Sequence, residues 1–211
     1  MNASKSNEDQ PILFAGGILD RYRHVCAFFD SPDEEQRILA PFIRDGLERG
    51  ERAFYVVDPE QRAEYVRRFE DEGIAVAAAE ARGQFELHTW DETFFRTGRF
   101  DRDEMLALLE EVLKGTTTQG FPLTRLVAHV PRPIDDVVEF EARFNYISVK
   151  YRDPVICVHD ASKINGGVVM DILRTHPMVL VGGFLRVNPL FVPPDEFLRE
   201  FHERAAKASG A

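Results

Sequence analysis

The chain has 211 residues, 44% of them hydrophobic, a formal net charge of −10 and a pI near 5.1. That length and apolar content suit one α/β domain with a large core better than two. The acidic balance, with no basic cluster to offset it, excludes a phosphate-backbone partner, because Lys and Arg supply the counterion-release term in nucleic-acid binding.

Met1 to Gln10 lacks the apolar centre of a signal peptide, and no apolar run approaches the length of a membrane span, so the cytoplasm is the expected location, with no membrane partner. Residues 1–20 read as a disordered or loosely attached tail, 21–204 as the folded domain and 205–211 as a frayed end. Apolar runs predict strands at Val25 to Phe29, Ala53 to Val57, Ile74 to Ala78, Phe85 to His88, Leu123 to Val130, Pro154 to His159 and Met178 to Val187. Between them, Ile38, Leu39, Phe42, Ile43 and Leu47 recur at helical spacing, as do Tyr65, Val66 and Phe69, and Met105, Leu106, Leu109, Val112 and Leu113. Ser31-Pro32, Asp58-Pro59 and Asp101-Arg102 read as helix starts, Gly50, Gly73 and Gly115 as stops, and Pro41 as a kink or split in the first helix. Strand–helix alternation on this scale predicts an α/β fold, a three-layer α/β/α arrangement with a mainly parallel central sheet.

The turn after the first predicted strand carries the most information. In a nucleotide-binding α/β protein that junction is glycine-rich, so that backbone N–H groups close around phosphate, usually with a lysine behind them. Here Asp30-Ser31-Pro32-Asp33-Glu34-Glu35 offers four carboxylates and no glycine, which repels a triphosphate. The same acids also suit the first turn of any helix, so the turn excludes phosphate more firmly than it proposes a ligand. A second loop, Asp160 to Gly167, has lysine, serine and two glycines, but its glycines follow the lysine instead of preceding it.

Ligands of open parallel sheets bind beyond the carboxyl ends of the strands, which places Asp30, Asp58, Trp90, His129, His159 with Asp160, and Asn188 around a crevice. The aromatic stretch from Trp90 to Phe100 reads as core or as a lid. His24-x-Cys26 and Cys157-x-His159 each project two soft donors from one face of a strand. Zinc accepts two thiols and two imidazoles, yet adjacent strand residues seldom reach tetrahedral geometry, so the expectation is buried thiols acting as small apolar residues, with no metal and no cofactor. A cysteine nucleophile needs an exposed, activated thiolate, and neither cysteine sits in such a place. The acid pairs Asp135 with Asp136 and Glu139 with Glu141 lie in helical context as solvated faces. No catalytic residue is assigned, and the protein is expected not to be an enzyme.

Taken together, several segments resemble the MEDS domain, a sensory domain of methanogen and methylotroph regulators. They are His24, Gly46 to Arg52, Gly98-Arg99-Phe100, Phe140-Glu141 with Asn145, Cys157-Val158-His159-Asp160, Thr175-His176-Pro177 and Asn188-Pro189 with Pro193-Pro194. The resemblance spans Tyr22 to Phe201 and implies a RecA/KaiC-like fold without a working phosphate loop, and a role in sensing small hydrocarbon derivatives. Two departures stand out: Arg125 to Pro131 lacks the acidic residue and tryptophan common there in the family, and His159 stands where a tyrosine is common.

The sequence therefore predicts a sensory module whose crevice gathers His24, Cys26, Asp30, Trp90, Arg125, His129, Glu141, Asn145, Cys157, His159 and Asp160, with Arg125 pairing to Glu141. Its partners are a small-molecule ligand and, because the chain ends soon after this domain, a kinase, sigma-factor regulator or transcription regulator in trans, or a second copy in a homodimer. The rivals are a docking module using Leu190, Phe191 and Val192 as an apolar contact, and a residual nucleotide-binding protein using Ser162 and Lys163.

Overall fold

A computed structural model describes residues 11–131 and 136–209; Asp135 lies outside them. Its main sheet has seven strands: β3 (His24–Ala27), β4 (Arg52–Val57), β5 (Phe85–Thr89), β6 (Thr124–His129), β7 (Val155–Val158), β8 (Met178–Val181) and β9 (Phe184–Val187), in the spatial order β5-β4-β6-β7-β3-β8-β9. All neighbours pair in parallel except β9, which folds back on β8. Nearly every residue of β3, β4, β6 and β7 is buried, because helices cover both faces.

Alternation along the strands sorts two cores. Val25, Ala27, Tyr55, Val57, Val127, Ile156 and Leu180 face one layer, built from α1 (Pro32–Glu48), α2 (Arg62–Asp71) and α3 (Val76–Ala81). Cys26, Phe54, Val56, Leu126, Ala128, Cys157 and Val179 face the other, built from α4 (Arg102–Thr118), α5 (Val137–Ser148), α6 (Gly166–Thr175) and α7 (Pro194–Ser209). The three-layer arrangement expected from the alternation of elements is the one observed.

Several boundaries differ from expectation, each for a local reason. Residues 11–20 are not a loose tail: β1 (Ile12–Phe14) and β2 (Gly17–Leu19) form a hairpin that buries Ile12, Phe14 and Leu19 in the first core. Their two-residue turn, Ala15 (φ 45°) and Gly16 (φ 71°), has the left-handed pair of angles that matches strand twist. Ile74 to Ala78 is no strand; from Val76 the alanine-rich run follows its helical propensity into α3. Met178 to Val187 is two strands, since Gly182 (φ 56°) and Gly183 (φ 78°) reverse the chain between them. Pro41 leaves α1 unsplit over 17 residues. Gly115 stays inside α4, and Gly120 (φ 84°) follows the helix end instead. The C-terminal helix continues to Ser209, past the expected fraying point at 205.

Candidate functional site

The strands run out together on one side of the sheet, and beyond their ends lies a crevice of about 500 Å³. Asp30 follows β3, Asp58 follows β4, Trp90 follows β5, His129 ends β6, and His159 with Asp160 follow β7; all line it. One wall is tightly built. The Tyr65 hydroxyl donates to Glu35 Oε1 at 2.7 Å, Tyr55 approaches the same oxygen at 3.4 Å, and His129 Nε2 lies 3.0 Å from it. Burial opposes ionisation of Glu35, yet His129 and the two hydroxyls overcome it and hold the carboxyl below its usual range. Across the mouth, the Trp90 indole donates to the His129 carbonyl at 2.7 Å, so β5 and β6 fix each other's ends.

The two loops that could cradle an anion are closed by their own side chains. After β3, the Asp30 backbone N–H donates to Glu34 Oε2 at 2.6 Å, and Ser31 Oγ caps the Glu34 N–H at 3.2 Å. A carboxylate of the chain thus occupies that backbone donor. After β7, Asp160 accepts from the Ser162 N–H at 3.0 Å and holds Lys163 Nζ at 3.2 Å, while Asn165 caps α6 through the Val168 N–H at 3.0 Å.

Directly behind the crevice, in the layer of α5 and α6, is a buried polar cluster. His24 Nε2 and His176 Nε2 each lie 3.4 Å from Glu141 Oε2, Cys157 Sγ lies 3.5 Å from both His24 Nε2 and Glu141 Oε2, and His159 Nε2 lies 3.7 Å from Glu141 Oε1. Burial alone would raise the Glu141 carboxyl, but His176, His24 and His159 hold it well below its usual range. Burial, then the adjacent His176, pushes His24 down; burial, then Glu141, pushes the Cys157 thiol up. His159 belongs to both places, since it lines the crevice and faces Glu141.

The predicted residues therefore separate into three groups. Asp30, Trp90, His129, His159 and Asp160 meet at the crevice. His24, Glu141, Asn145 and Cys157 lie together in the buried cluster, and Cys26, paired in register with Cys157, contacts the Met178 carbonyl at 3.7 Å. Arg125 joins neither. It does not pair with Glu141, because it lies on the opposite face, near the amino end of β6, where its guanidinium meets Glu51 (2.6 Å) and Asp45 (2.5 Å) over the Phe42 ring. Glu139 and Glu141 are not solvated, since both are buried. Of the aromatic stretch, Trp90 faces the crevice, whereas Phe94 joins the second core. Sequence reasoning missed Glu35, Tyr65 and His176 as site residues. Glu35 resembles any first-turn acid, and only its place one turn into α1, facing a strand end, marks it.

A second cleft, of about 570 Å³, opens at the amino ends of the strands, where Tyr22, His24, Asn145 and Phe191 are among its walls. Among the described residues, no helix is long and apolar enough to cross a membrane.

Residues 23–177 match the sequence model of MEDS, the methanogen/methylotroph, DcmR sensory domain. The chain belongs to the MEDS family. That span holds the crevice and all of the buried cluster. A curated relative is the transcriptional repressor DcmR of Methylorubrum extorquens (strain DM4), 24% identical over 170 residues that cover 77% of this chain and 61% of the relative, so the MEDS chain spans less than two thirds of that protein. The fold is similar to the KaiC-like protein PH0186 of Pyrococcus horikoshii (TM-score 0.52, 17% identity, 75% of this chain and 70% of that one). It is also similar to the flagellar accessory protein FlaH of Methanocaldococcus jannaschii (TM-score 0.50, 12% identity, 78% and 76%). The expected RecA/KaiC-like architecture of this MEDS domain is thus found, and the family it belongs to is a sensory domain.

Proposed function

We propose that this MEDS domain binds a small hydrocarbon derivative in the crevice at the strand ends and passes occupancy to a transcription regulator, acting by binding and not by catalysis. The observation that carries this reading is the composition of the crevice. It is open, walled by Phe29, Tyr65 and Trp90, and lined by the carboxylates of Asp30, Glu35, Asp58, Glu64 and Asp160. Arg68 and Lys163, the strong cations among the described lining residues, are already engaged, Arg68 with Glu64 at 2.7 Å and Lys163 with Asp160 at 3.2 Å. Such a surface repels phosphate and suits a neutral or cationic organic molecule, which acids attract and aromatic faces hold. The repressor relative supports a transcriptional output.

A thermal-shift panel of short amines, alcohols, halocarbons and Mg-nucleotides tests it. A ligand at 100 times its Kd stabilises by about 2.7 kcal/mol, which for a chain of this size raises Tm by roughly 5–10 °C. The expected stabilisers are amines or alcohols, with the shift reduced in Glu35→Gln and His129→Ala. Stabilisation by Mg-ATP alone, or by nothing in the panel, contradicts the proposal.

A further inference from the structure

The cluster around Glu141 has more lone pairs than protons to fill them. The Asn145 amide nitrogen is committed to the carbonyls of Glu141 (3.1 Å), Ala142 (3.3 Å) and Thr175 (2.7 Å), so its Oδ1 is the acceptor for His24 Nδ1–H at 3.1 Å. His176 Nδ1 faces the Ile172 carbonyl at 2.9 Å and so carries its proton there too, beside the Thr175 hydroxyl, which donates to the same carbonyl. With both Nδ1 protons placed, each of His24 Nε2 and His176 Nε2 either carries a second proton toward Glu141 or turns a bare lone pair to the same carboxylate oxygen. His176 Nε2 and Glu141 Oε1, both fully buried, have no hydrogen-bond partner. Lone pairs gathered this way in a buried cluster are satisfied by a cation between them, a proton or a metal ion, and the Cys157 thiol lies 3.5 Å from two of them.

The spacing identifies which cation. In a tetrahedron the corners lie about 1.6 times the centre-to-corner distance apart, so Zn–N bonds of ~2.0–2.1 Å and Zn–S of ~2.3 Å put neighbouring donors roughly 3.3–3.7 Å from each other. Four of the six donor pairs here lie at 3.4, 3.4, 3.5 and 3.5 Å, and all four donors fall within 4.8 Å of one another. The nitrogen–oxygen separations are too long for ordinary hydrogen bonds, which run about 2.7–3.2 Å, and right for donors around an ion. We propose that His24 Nε2, Glu141 Oε2, Cys157 Sγ and His176 Nε2 form a buried tetrahedral site for a divalent transition metal ion, zinc by donor chemistry. The Nδ1 hydrogen bonds to Asn145 and Ile172 act as the outer shell that orients both imidazoles.

Charge supports the same set. Binding converts the Cys157 thiol to thiolate and releases its proton to solvent; a dication, one carboxylate and one thiolate then sum to zero, the least costly state for a buried ion. The site is not the one suggested by His24, Cys26, Cys157 and His159. Strand alternation supplies His24 and Cys157, whereas the other two donors come from α5 and from the residue after α6.

The whole chain, unfolded and refolded with excess zinc or cobalt and then gel-filtered, is measured for metal by elemental analysis. The expected result is one ion per chain, a higher Tm than the chelator-refolded protein, and, with cobalt, the visible bands of a tetrahedral site plus a thiolate-to-cobalt charge-transfer band. Cys157→Ser loses the charge-transfer band and Cys26→Ser keeps it. Wild-type protein that folds but retains no stoichiometric metal, or whose Tm follows pH and ignores zinc, overturns the proposal, since a shared proton is then the cation. So does a charge-transfer band that follows Cys26. The wild-type readings stand even if a variant fails to fold, and none of them depends on what occupies the crevice.

Discussion

Asp153 is a carboxylate the fold holds at a cost. It is buried after α5, accepts from the Thr124 N–H at 2.5 Å, and faces the Thr116 hydroxyl at 3.5 Å. Burial outweighs these bonds and the nearby Arg23, and raises the carboxyl to about 6. A group whose folded pKa lies above its unfolded one contributes stability that is complete below the unfolded value, near 3.8, and lost as pH rises through about 6. The loss amounts to at most ~3 kcal/mol, at about 1.36 kcal/mol per pKa unit. Asp153→Asn keeps the acceptor for Thr124 and removes the titration. Urea midpoints at pH 4 and pH 7 are therefore expected to show wild type declining relative to Asp153→Asn between the two; parallel profiles would count against this account. At this scale the sequence is least legible. Asp71, exposed at the end of α2, and Asp153, buried just before β7, look alike until the fold sets their burial, and the same holds for Glu35 and Glu141.

Among elements, α1 and β6 are joined by an arrangement visible only in three dimensions. Arg125 crosses α1 where a Cβ on Gly46 would meet its Cδ and Nε at 2.5 Å, so glycine is what lets the guanidinium reach Asp45, Glu51 and the Phe42 carbonyl. This explains the Gly46 to Arg52 segment as a dock for a buried cation. Arg125→Met strands Glu51, fully buried with Arg49 as its remaining cation at 2.9 Å, and is expected to cost about 3–5 kcal/mol. Adding Glu51→Gln should recover part of that loss, as a double-mutant cycle would measure. Because Arg125 is at the end of β6 remote from the crevice, the ligand-induced Tm shift should survive both changes; its loss would return Arg125 to the binding site.

The same scale explains which elements could be read. The β3, β4, β6 and β7 runs are apolar on both faces and bounded by capped helices, so their positions follow from composition. Ile74 to Ala78 and Met178 to Val187 are apolar runs too, but run composition does not separate a short buried helix or a hairpin from a strand. Their outcome depended on alanine propensity and on two glycines at positive φ.

In the whole molecule, a parallel sheet gathers polar strand ends on one side, and that rule places Asp30, Asp58, Trp90, His129, His159 and Asp160 around one crevice, where the structure has them. It misplaces Asn188, which follows the antiparallel β9 and, away from the crevice, donates to the His176 carbonyl at 2.8 Å. The rule could not separate the crevice from the cluster behind it, since His24, Glu141, Asn145 and Cys157 reach one another only through the packing of α5 and α6 on the second face. His159 touches both, which gives ligand binding a short physical route to the core.

An acidic, aromatic crevice should hold a small organic molecule and refuse a nucleotide phosphate. Trp90 is the chain's sole tryptophan and forms part of the crevice wall, so its fluorescence reports occupancy directly. Titration with the best stabiliser from the thermal panel is predicted to change Trp90 emission saturably, with Mg-ATP leaving it unaltered. A saturable response to Mg-ATP, or silence toward a molecule that raises Tm, would contradict the account.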